Sequence, residues 1–431
     1  MLEWTEQLEL MLHQNAREYG RIILKYVLVM FVTTASVYMP LLLGALVAGA
    51  GGSAVAGARF SPVWNCPYLG KEVVGKYGLD ANPSGSFNGS VVWLSYGPST
   101  WPRLTATQGD VLPCWSGKHP CTWNQSLIWK NITVASNGGV PQAGDIELHK
   151  AAVAALVKQN IPNPAWAGYG IFDWEAWRAS FDENDDGLSY SNYYSTLLVK
   201  QQHPDWTNET RISDEAKRQY NAGAKLFFTE TLRMAKLLRP NGKFGFYEYP
   251  MAPLVELTWL WQEVGVMASS QYMRTANSTA DSVNASITAV NLARAAAAAA
   301  GKHFVRPDIL VYVWLWPSAK PVSAEQLTAS IQAPAAMGAD GVFLWGSSSD
   351  AHVSGYSDTI TTFLKDTAGP LMEKCSADRA QCATALCSGH GRCSNYDAAH
   401  PERGCEPPED ATTVTCLCDA GWQGPTCGTK E

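Results

Sequence analysis

The chain has 431 residues, of which 46% are hydrophobic and 16% charged, a balance typical of a folded protein and not of a disordered one. Its formal net charge of −7 at pH 7 argues against a nucleic-acid-binding protein. It also gives no overall attraction to an anionic polymer, so such a substrate would need a local basic groove. Seventeen Trp and seventeen Tyr suit both a packed core and a groove that stacks on ligand rings, and composition does not separate these uses.

The N-terminal part of the sequence predicts a membrane anchor. Residues 26–58 carry no charge, and this run exceeds the roughly 20 apolar residues that span a bilayer. We predict a transmembrane signal-anchor over 22–50, with residues 1–21 in the cytosol because Arg17, Arg21 and Lys25 precede the apolar run. A cleaved signal peptide ending near 48–58 is the alternative. The expectation is a single-pass type II membrane protein with an extracellular or luminal domain, or a secreted one.

Sequons and cysteines agree with export. Six Asn-x-Ser/Thr sequons are candidate glycosylation sites; they begin at Asn88, Asn124, Asn131, Asn208, Asn277 and Asn284. Eight of the eleven cysteines follow residue 374, which indicates an oxidising compartment. The odd number leaves at least one thiol unpaired or bonded to another chain.

The central region alternates predicted strands with predicted helices. Continuous apolar runs predict buried parallel strands at 91–96, 170–174, 243–249, 308–316 and 341–345. Helical periodicity lies between them, at 147–159, 216–238 and 287–303. This alternation favours a TIM-like (β/α) barrel over 58–373, with a doubly wound sheet as the alternative. No nucleotide-binding glycine loop follows a strand, and no cofactor is expected.

The composition changes after residue 380. Residues 380–428 are short of apolar residues and rich in Cys and Gly, so disulfides must hold them together. Their spacing resembles an EGF-like module, and a zinc site is the alternative. The cysteines expected in disulfides are Cys382, Cys387, Cys393, Cys416, Cys418 and Cys427.

Two acidic residues interrupt an aromatic run, GYGIFDWEAWR at 168–178. In a strand, Asp173 and Glu175 point to the same side as Ile171. Because two adjacent carboxylates cannot both ionise cheaply, they are expected to share a proton, which is what a general acid needs. They follow a predicted barrel strand, where barrel enzymes place their chemistry. The alternative is structural: Asp173 caps the next helix and Glu175 pairs with Arg178.

This run resembles the active-site strand of the hyaluronidase family of glycoside hydrolases. Six further blocks have counterparts in that family in the same order, at 60–65, 81–89, 138–142, 244–250, 257–263 and 341–350. The EGF-like segment also has a counterpart in vertebrate members. The resemblance covers nearly everything after residue 59.

The resemblance implies an endo-acting β-N-acetylhexosaminidase on hyaluronan or chondroitin, a hyaluronoglucosaminidase-like enzyme. Glu175 would be the general acid and base, and Asp173 would share its proton and hold the substrate's acetamido group. That group would itself be the nucleophile, with net retention, an exception to the two-carboxylate scheme. Tyr247 and Tyr272 would position the acetamido group, and Trp345 would form a wall of the sugar pocket. The alternatives are a catalytically weak glycan-binding or adhesion protein and a hydrolase of another N-acetylhexosamine polymer, such as chitin-like chains.

Several positions depart from the family pattern. Phe172 replaces an Ile and Ala179 a Pro. The family's barrel disulfides are not reproduced, although Cys375 is a possible partner for Cys66. We expect Cys114 and Cys121, which bracket a short loop, to pair with each other. The one candidate for an active-site arginine is Arg294; loss of that arginine would weaken the case for an acidic sugar.

An acidic hexapeptide, DENDDG at 182–187, matches the first half of a calcium loop. Tyr193 occupies the twelfth position, where a calcium loop has Glu. We therefore predict a solvated acidic loop and no metal site.

Overall fold

The computed structural model describes residues 60–65, 80–81, 91–95, 100–108, 129–184, 186–251, 255–272, 278–301, 306–316, 322–347, 353–397, 404–406 and 411–431. The predicted cytosolic segment (1–21) and signal-anchor (22–50) lie outside these ranges. Within the ranges, no helix is long and apolar enough to cross a membrane.

Parallel strands form the centre of the molecule. Their bounds are β1 (Ser61–Asn65), β2 (Asp80–Ala81), β3 (Val91–Ser95), β6 (Tyr169–Asp173), β7 (Lys243–Phe246), β8 (Val266–Met267), β9 (Asp308–Trp314) and β10 (Gly341–Trp345). They pair in the order β2-β1-β10-β9-β8 and β3-β6-β7. A parallel bridge between Tyr247 and Ala268 joins β7 to β8. Neighbours in space are thus neighbours in sequence, the arrangement of a TIM-like (β/α) barrel.

The five predicted strands are all present, and the one predicted at 243–249 is shorter than expected. It ends at Phe246, and Glu248 beyond it adopts a left-handed backbone conformation (φ 66°) that a strand does not contain. An antiparallel hairpin, β4 (Arg103–Gln108) and β5 (Trp129–Ser136), is inserted after β3.

Helices connect the strands. The described α-helices are α1 (Ile146–Asn160), α2 (Tyr190–Gln202), α3 (Glu209–Leu238), α4 (Thr258–Trp261), α5 (Thr279–Ala300), α6 (Ala324–Ala336), α7 (Tyr356–Phe363) and α8 (Gly369–Leu386). Helices α3 and α5 begin earlier than their apolar periodicity predicted, because their N-terminal turns are capped by polar side chains. Asn208 accepts a hydrogen bond from the Arg211 amide, and Ser278 forms a capping box with Asp281.

The alternation of side chains along β6 divides the core into two layers. Ile171 belongs to the cluster inside the barrel, together with Tyr312 and Phe343. Phe172 and Trp174 face outward into the layer between sheet and helices. There Trp101 stacks on Trp174 with ring centroids 4.9 Å apart. Many of the described aromatic residues are therefore core residues.

Three disulfides hold the C-terminal module. They are Cys382–Cys393, Cys387–Cys416 and Cys418–Cys427. The module's strands β11 (Gly391–Ser394) and β12 (Thr415–Cys418) pair antiparallel, and β13 (Trp422–Gln423) pairs with β14 (Thr429–Lys430).

The suggested pairing of Cys375 with Cys66 is wrong. Cys375 is fully buried on α8 and bonded to Cys405. Helix α8 continues into the module and brings Cys375 against the loop at 404–406, so the bond lies between the module and the helix that leads to it. Cys66, Cys114 and Cys121 lie outside the described residues.

An ionic cluster joins the module to the barrel. Asp340, which precedes β10, accepts hydrogen bonds from Arg306 (2.8 Å) and from Arg392 of the module (2.6 Å). Burial alone would raise the pKa of Asp340, but the charges of Arg392 and Arg306 outweigh it and lower the pKa below its ordinary value. The module is therefore attached to the end of the barrel where the strands begin.

A buried histidine should make the fold sensitive to acid. The ring of His149 on α1 is fully buried, and its Nε2 lies 2.8 Å from the Thr231 hydroxyl. Burial lowers the pKa of His149 from 6.5 to about 4. The unfolded chain therefore binds this proton at a higher pH than the folded chain. Keeping the ring neutral costs the folded protein nothing above pH 6.5. As the pH falls from 6.5 toward 4, the free energy of unfolding decreases by about 3 kcal/mol, because the unfolded chain binds the proton and the folded chain does not.

We therefore expect His149→Gln to flatten the acid limb of the stability curve. Between about pH 7 and pH 4.5 the wild type should lose roughly 2 to 3 kcal/mol more of its unfolding free energy than the variant. Urea denaturation of both proteins at each pH measures this difference. Parallel curves for the two proteins would contradict the role assigned to His149.

Candidate active site

The acidic pair lies where β6 ends. Asp173 is the last residue of the strand and only 6% exposed, and Glu175 follows it, half-buried. Ile171 points into the barrel and Phe172 out of it, so Asp173 continues the inward row at the carboxyl ends of the strands. The 3₁₀ turn that follows is capped by Ser180, so Asp173 does not serve as its helix cap.

Two tyrosines from neighbouring strands meet the acidic pair. Tyr247 directly follows β7, Tyr272 lies in the segment after β8, and their ring centroids are 5.9 Å apart. The side chains of Tyr272 and Ser270 lie close enough to the Tyr247 phenol to affect its pKa. Burial, with the nearby charge of Glu175 among the smaller causes, raises the pKa of Tyr247. Burial and, more weakly, the charge of Asp173 raise that of Tyr272. Both phenols therefore stay protonated hydrogen-bond donors.

Aromatic rings form a wall beside the tyrosines. Trp345, the last residue of β10, stacks on Tyr272 with centroids 5.1 Å apart. Trp314, the last residue of β9, lies 5.3 Å from Trp345 and 5.7 Å from Tyr272. Sequence reasoning singled out Trp345 but missed Trp314. Its position at the end of an apolar strand, equivalent to that of Trp345, was the available signal.

A second aromatic layer supports this wall from inside the barrel. The ring of Tyr312 meets that of Tyr247 edge-on at 5.0 Å and stacks on Phe343 at 4.6 Å. Tyr312 and Phe343 are both buried. The position of Tyr247 is thus determined by ring packing and by the hydrogen bond that its amide donates to the Phe172 carbonyl at 2.9 Å, which favours a preorganised site.

An ion pair borders the acidic pair. The Arg178 guanidinium donates to the Glu248 carboxylate at 2.8 Å, and both side chains are largely buried. Burial lowers the pKa of Arg178, but Tyr249, the Glu248 carboxylate and, more weakly, Glu175 raise it overall. Arg178 therefore lies between two acidic residues, and its ion partner is Glu248.

The assignment of Arg294 to the substrate site is wrong. Its guanidinium donates to the Met337 carbonyl and to the Ser394 hydroxyl of the module, at the end of the barrel opposite Asp173. Burial and the charges of Arg306 and Arg392 lower its pKa. Helix α5 runs away from the site, and ten residues of helix separate Arg294 from Asn284, a distance of about 15 Å along the axis.

The first residues of the acidic hexapeptide, Asp182 and Glu183, belong to a 3₁₀ turn that ends at Asn184. Asn184 is buried, with its side-chain oxygen accepting from the Arg178 amide at 2.8 Å. Asp182 pairs with Lys217 on α3. Across the described part of the chain, no group of three or more His, Cys, Asp or Glu side chains is arranged to hold a metal ion.

Three of the candidate glycosylation sites lie within the described ranges. Asn131, Asn208 and Asn284 are all exposed. Asn284 also lines a cavity next to Tyr272, so a glycan on it would stand at the rim of the site. Asn88, Asn124 and Asn277 lie outside the described residues.

Two carboxyl groups, two tyrosines and two tryptophans lie together at the carboxyl ends of the barrel strands. This arrangement is typical of the active site of a glycoside hydrolase. The hyaluronidase family model matches residues 128–252 and 255–403, and an EGF-like domain model matches 382–427. The chain belongs to the hyaluronidase family of glycoside hydrolases.

Individual relatives agree with this family assignment. Hyaluronidase-1 of Homo sapiens is 27% identical, over 86% of this chain and 92% of that protein. Hyaluronidase of Apis mellifera is 26% identical, over 73% of this chain and 84% of that protein. The crystal structure of bee venom hyaluronidase in complex with a hyaluronic acid tetramer superposes with a TM-score of 0.60 at 26% identity, covering 73% of this chain and 99% of that one.

Proposed function

We propose that this enzyme is an endo-β-N-acetylhexosaminidase that hydrolyses hyaluronan or chondroitin with retention of configuration. The observation that carries this proposal is the meeting of Asp173 and Glu175 with Tyr247, Tyr272 and Trp345 at one edge of the barrel. A relative crystallised with a hyaluronic acid tetramer supports the substrate class.

In the proposed reaction, Glu175 donates its proton to the glycosidic oxygen as the bond to the anomeric carbon breaks. The carbonyl oxygen of the substrate's own acetamido group attacks that carbon and forms a cyclic oxazolinium ion. Glu175, now a carboxylate, then takes a proton from water, whose oxygen opens the ring on the original face. The two displacements together retain the configuration.

Asp173 and the tyrosines would hold the acetamido group in position for this attack. Asp173 would accept the hydrogen bond of the acetamido N–H and stabilise the positive charge that develops on the ring. Tyr247 and Tyr272 remain protonated because burial raises the pKa of each, so either can donate to the acetamido oxygen. Trp345 and Trp314 would exclude water from the acetamido methyl and so protect the cyclic intermediate.

The test is an assay of the purified protein on hyaluronan, chondroitin and N-acetylglucosamine oligosaccharides. We expect new reducing ends from at least one polymer, with the β-anomer as the first product seen by NMR. An α-anomer formed first would contradict the proposed mechanism. No turnover of any polymer would favour a glycan-binding protein.

The proposal also includes the location of the protein: an exported catalytic domain with an N-terminal membrane anchor. The C-terminal disulfides and the exposed sequon asparagines support an extracellular or luminal domain, and the uncharged run at 26–58 supports an N-terminal anchor. The proposed domain organisation is a cytosolic segment over 1–21, an anchor over 22–50, a barrel over 58–373 and a module over 380–428. Release of the protein from membranes by alkaline carbonate would count against the anchor and favour the secreted form.

A further inference from the structure

A groove of about 480 Å³ lies where α3 begins. Trp206, in the connection between α2 and α3, and Arg211, in the first turn of α3, both line it. So do Asn208 and Thr210, which are the first and third positions of one of the six sequons. The asparagine that would carry an N-linked glycan therefore belongs to the wall of a groove whose volume is in the range of small-molecule sites.

The indole of Trp206 is part of a stack of planar groups. The His203 ring stacks on it with centroids 3.9 Å apart, and the guanidinium carbon of Arg211 lies 3.6 Å from the indole centroid. Trp206 is half-buried and packs against the core layer between the sheet and the helices, so its exposed part is held in a fixed position. A fixed planar surface of this kind suits the C–H face of a pyranose ring.

The rest of the groove is polar, and its charges balance. Asp214 and Glu215 line it together with Arg211 and Arg218, so that two anions face two cations. Arg218 donates to Glu215 from Nε and Nη2 at 2.7 and 2.6 Å. An uncharged ligand rich in hydroxyl groups fits this balance, because hydroxyls exchange hydrogen bonds with charged side chains of either sign.

The Asn208 side chain is oriented by the helix that follows it. Its Oδ1 accepts a hydrogen bond from the Arg211 amide at 3.0 Å and so caps α3. The Nδ2 atom, to which an N-glycan is attached, lies on the other side of the carboxamide carbon and points away from that amide. Because Asn208 is exposed, a glycan on Nδ2 leaves the helix cap intact.

We propose that Asn208 carries an N-linked glycan whose first N-acetylglucosamine lies in this groove against Trp206 and Arg211. The contact would stabilise the junction of α2 and α3. The C–H face of the sugar packs on the planar stack, and its acetamido oxygen accepts a hydrogen bond from the Arg211 guanidinium. Attachment to a residue of the groove itself keeps the sugar at high effective concentration there. This inference rests on the proposed export of the domain and not on the proposed reaction.

The modification is a group transfer that precedes folding. Its donor is a lipid-linked oligosaccharide diphosphate of the secretory compartment. The Nδ2 atom of Asn208 forms a bond to C1 of the first N-acetylglucosamine, and the bond between C1 and the phosphate oxygen breaks. The lipid diphosphate and one proton of Nδ2 leave, and no atom is oxidised or reduced.

A double-mutant cycle tests the contact on the full chain, made in a glycosylating eukaryotic host. Asn208→Ser removes the glycan and keeps a neutral helix cap of similar strength, and Trp206→Leu removes the ring and keeps apolar bulk. Mass spectrometry of glycopeptides should show Asn208 occupied in the wild type. We expect Asn208→Ser to raise the unfolding equilibrium constant in urea about fivefold in the wild type and less than about twofold in the Trp206→Leu background.

A second measurement leaves Trp206 unchanged and serves if Trp206→Leu does not fold. Chains made with the mannosidase inhibitor kifunensine carry oligomannose glycans, which endoglycosidase H trims to one N-acetylglucosamine. The trimmed wild type should unfold with nearly the same equilibrium constant as the untrimmed protein, because the first sugar makes the contact. The trimmed Asn208→Ser variant should still differ from it about fivefold.

Asn284→Gln is the matched control, since it removes another exposed sequon asparagine from a helix. Its effect on the unfolding equilibrium constant should be the same with and without Trp206→Leu, as expected for independent sites. An equally large effect of Asn208→Ser in both Trp206 backgrounds would overturn the inference, and so would a loss of stability on trimming as large as that of Asn208→Ser.

Failure of the proposed export has a different signature. In that case no sequon carries a glycan, which overturns the export and this inference together. Glycans on Asn131 or Asn284 without one on Asn208 would overturn this inference alone. Absence of glycosidase activity changes none of these results.

Discussion

Replacing Glu175 with Gln is expected to lower kcat on the best polymer substrate by about a thousandfold. Glutamine has nearly the same size and can occupy the same position after β6, but it can neither donate a proton to the glycosidic oxygen nor take one from water. The contacts proposed to hold the sugar, made by the tyrosines and tryptophans, are unchanged by this substitution. KM should therefore stay within about threefold of the wild type, which is the pattern of a lost transition-state interaction.

Steady-state kinetics by reducing-end detection measures this effect. Glu230→Gln is a suitable control, because Glu230 is another half-buried Glu whose carboxylate lies 3.2 Å from Arg233, on the outer helix α3. It should retain wild-type kcat. A Glu175→Gln enzyme that keeps a tenth or more of the wild-type kcat would rule out Glu175 as the proton donor.

The second large effect is expected on stability, at the other end of the barrel. Asp340→Asn should lower the free energy of unfolding by about 3 to 5 kcal/mol. The carboxylate accepts hydrogen bonds from Arg306, Arg392 and the Ile309 amide at 2.6 to 2.8 Å. Asparagine removes the negative charge and leaves the Arg392 guanidinium, 8% exposed, without its main counter-charge.

Urea denaturation at neutral pH gives the change in unfolding free energy, and limited proteolysis shows whether the module has separated from the barrel. Asp378→Asn is the matched control, since Asp378 pairs with the exposed Lys374 on α8; it should cost less than about 1 kcal/mol. Arg379 on α8 also donates hydrogen bonds to the Cys393 and Gly404 carbonyls of the module, at 2.6 and 3.0 Å. A loss for Asp340→Asn as small as that of the control would mean that these bonds and the disulfides hold the module without the ionic cluster.

Local patterns were sufficient to predict the strands and the acidic pair. Apolar runs predicted β3, β6, β7, β9 and β10, and alternation along β6 predicted that Ile171 and Asp173 share a face while Phe172 faces away. These properties depend on residues one or two positions apart, and a strand imposes them wherever it lies. Cysteine spacing predicted the small C-terminal module for the same local reason.

Pairings between distant residues could not be predicted in this way. Arg178 and Glu248 are 70 residues apart, and their meeting depends on β6 and β7 being neighbours and on the left-handed turn at Glu248. Cys375 bonds to Cys405 because α8 leads into the module. Arg294 was assigned by its place in the sequence, yet the direction of α5 carries it to the opposite end of the barrel.

The sequence by itself thus determined which residues are the candidates for the chemistry: an acid pair after a buried strand, tyrosines and a tryptophan at the ends of others. Only the tertiary structure decided which charges surround them. Side-chain type and spacing act over one turn or one strand, whereas the field at the site is the sum over groups from several strands, each positioned by packing. That sum pairs Arg178 with Glu248 and removes Arg294 from the site.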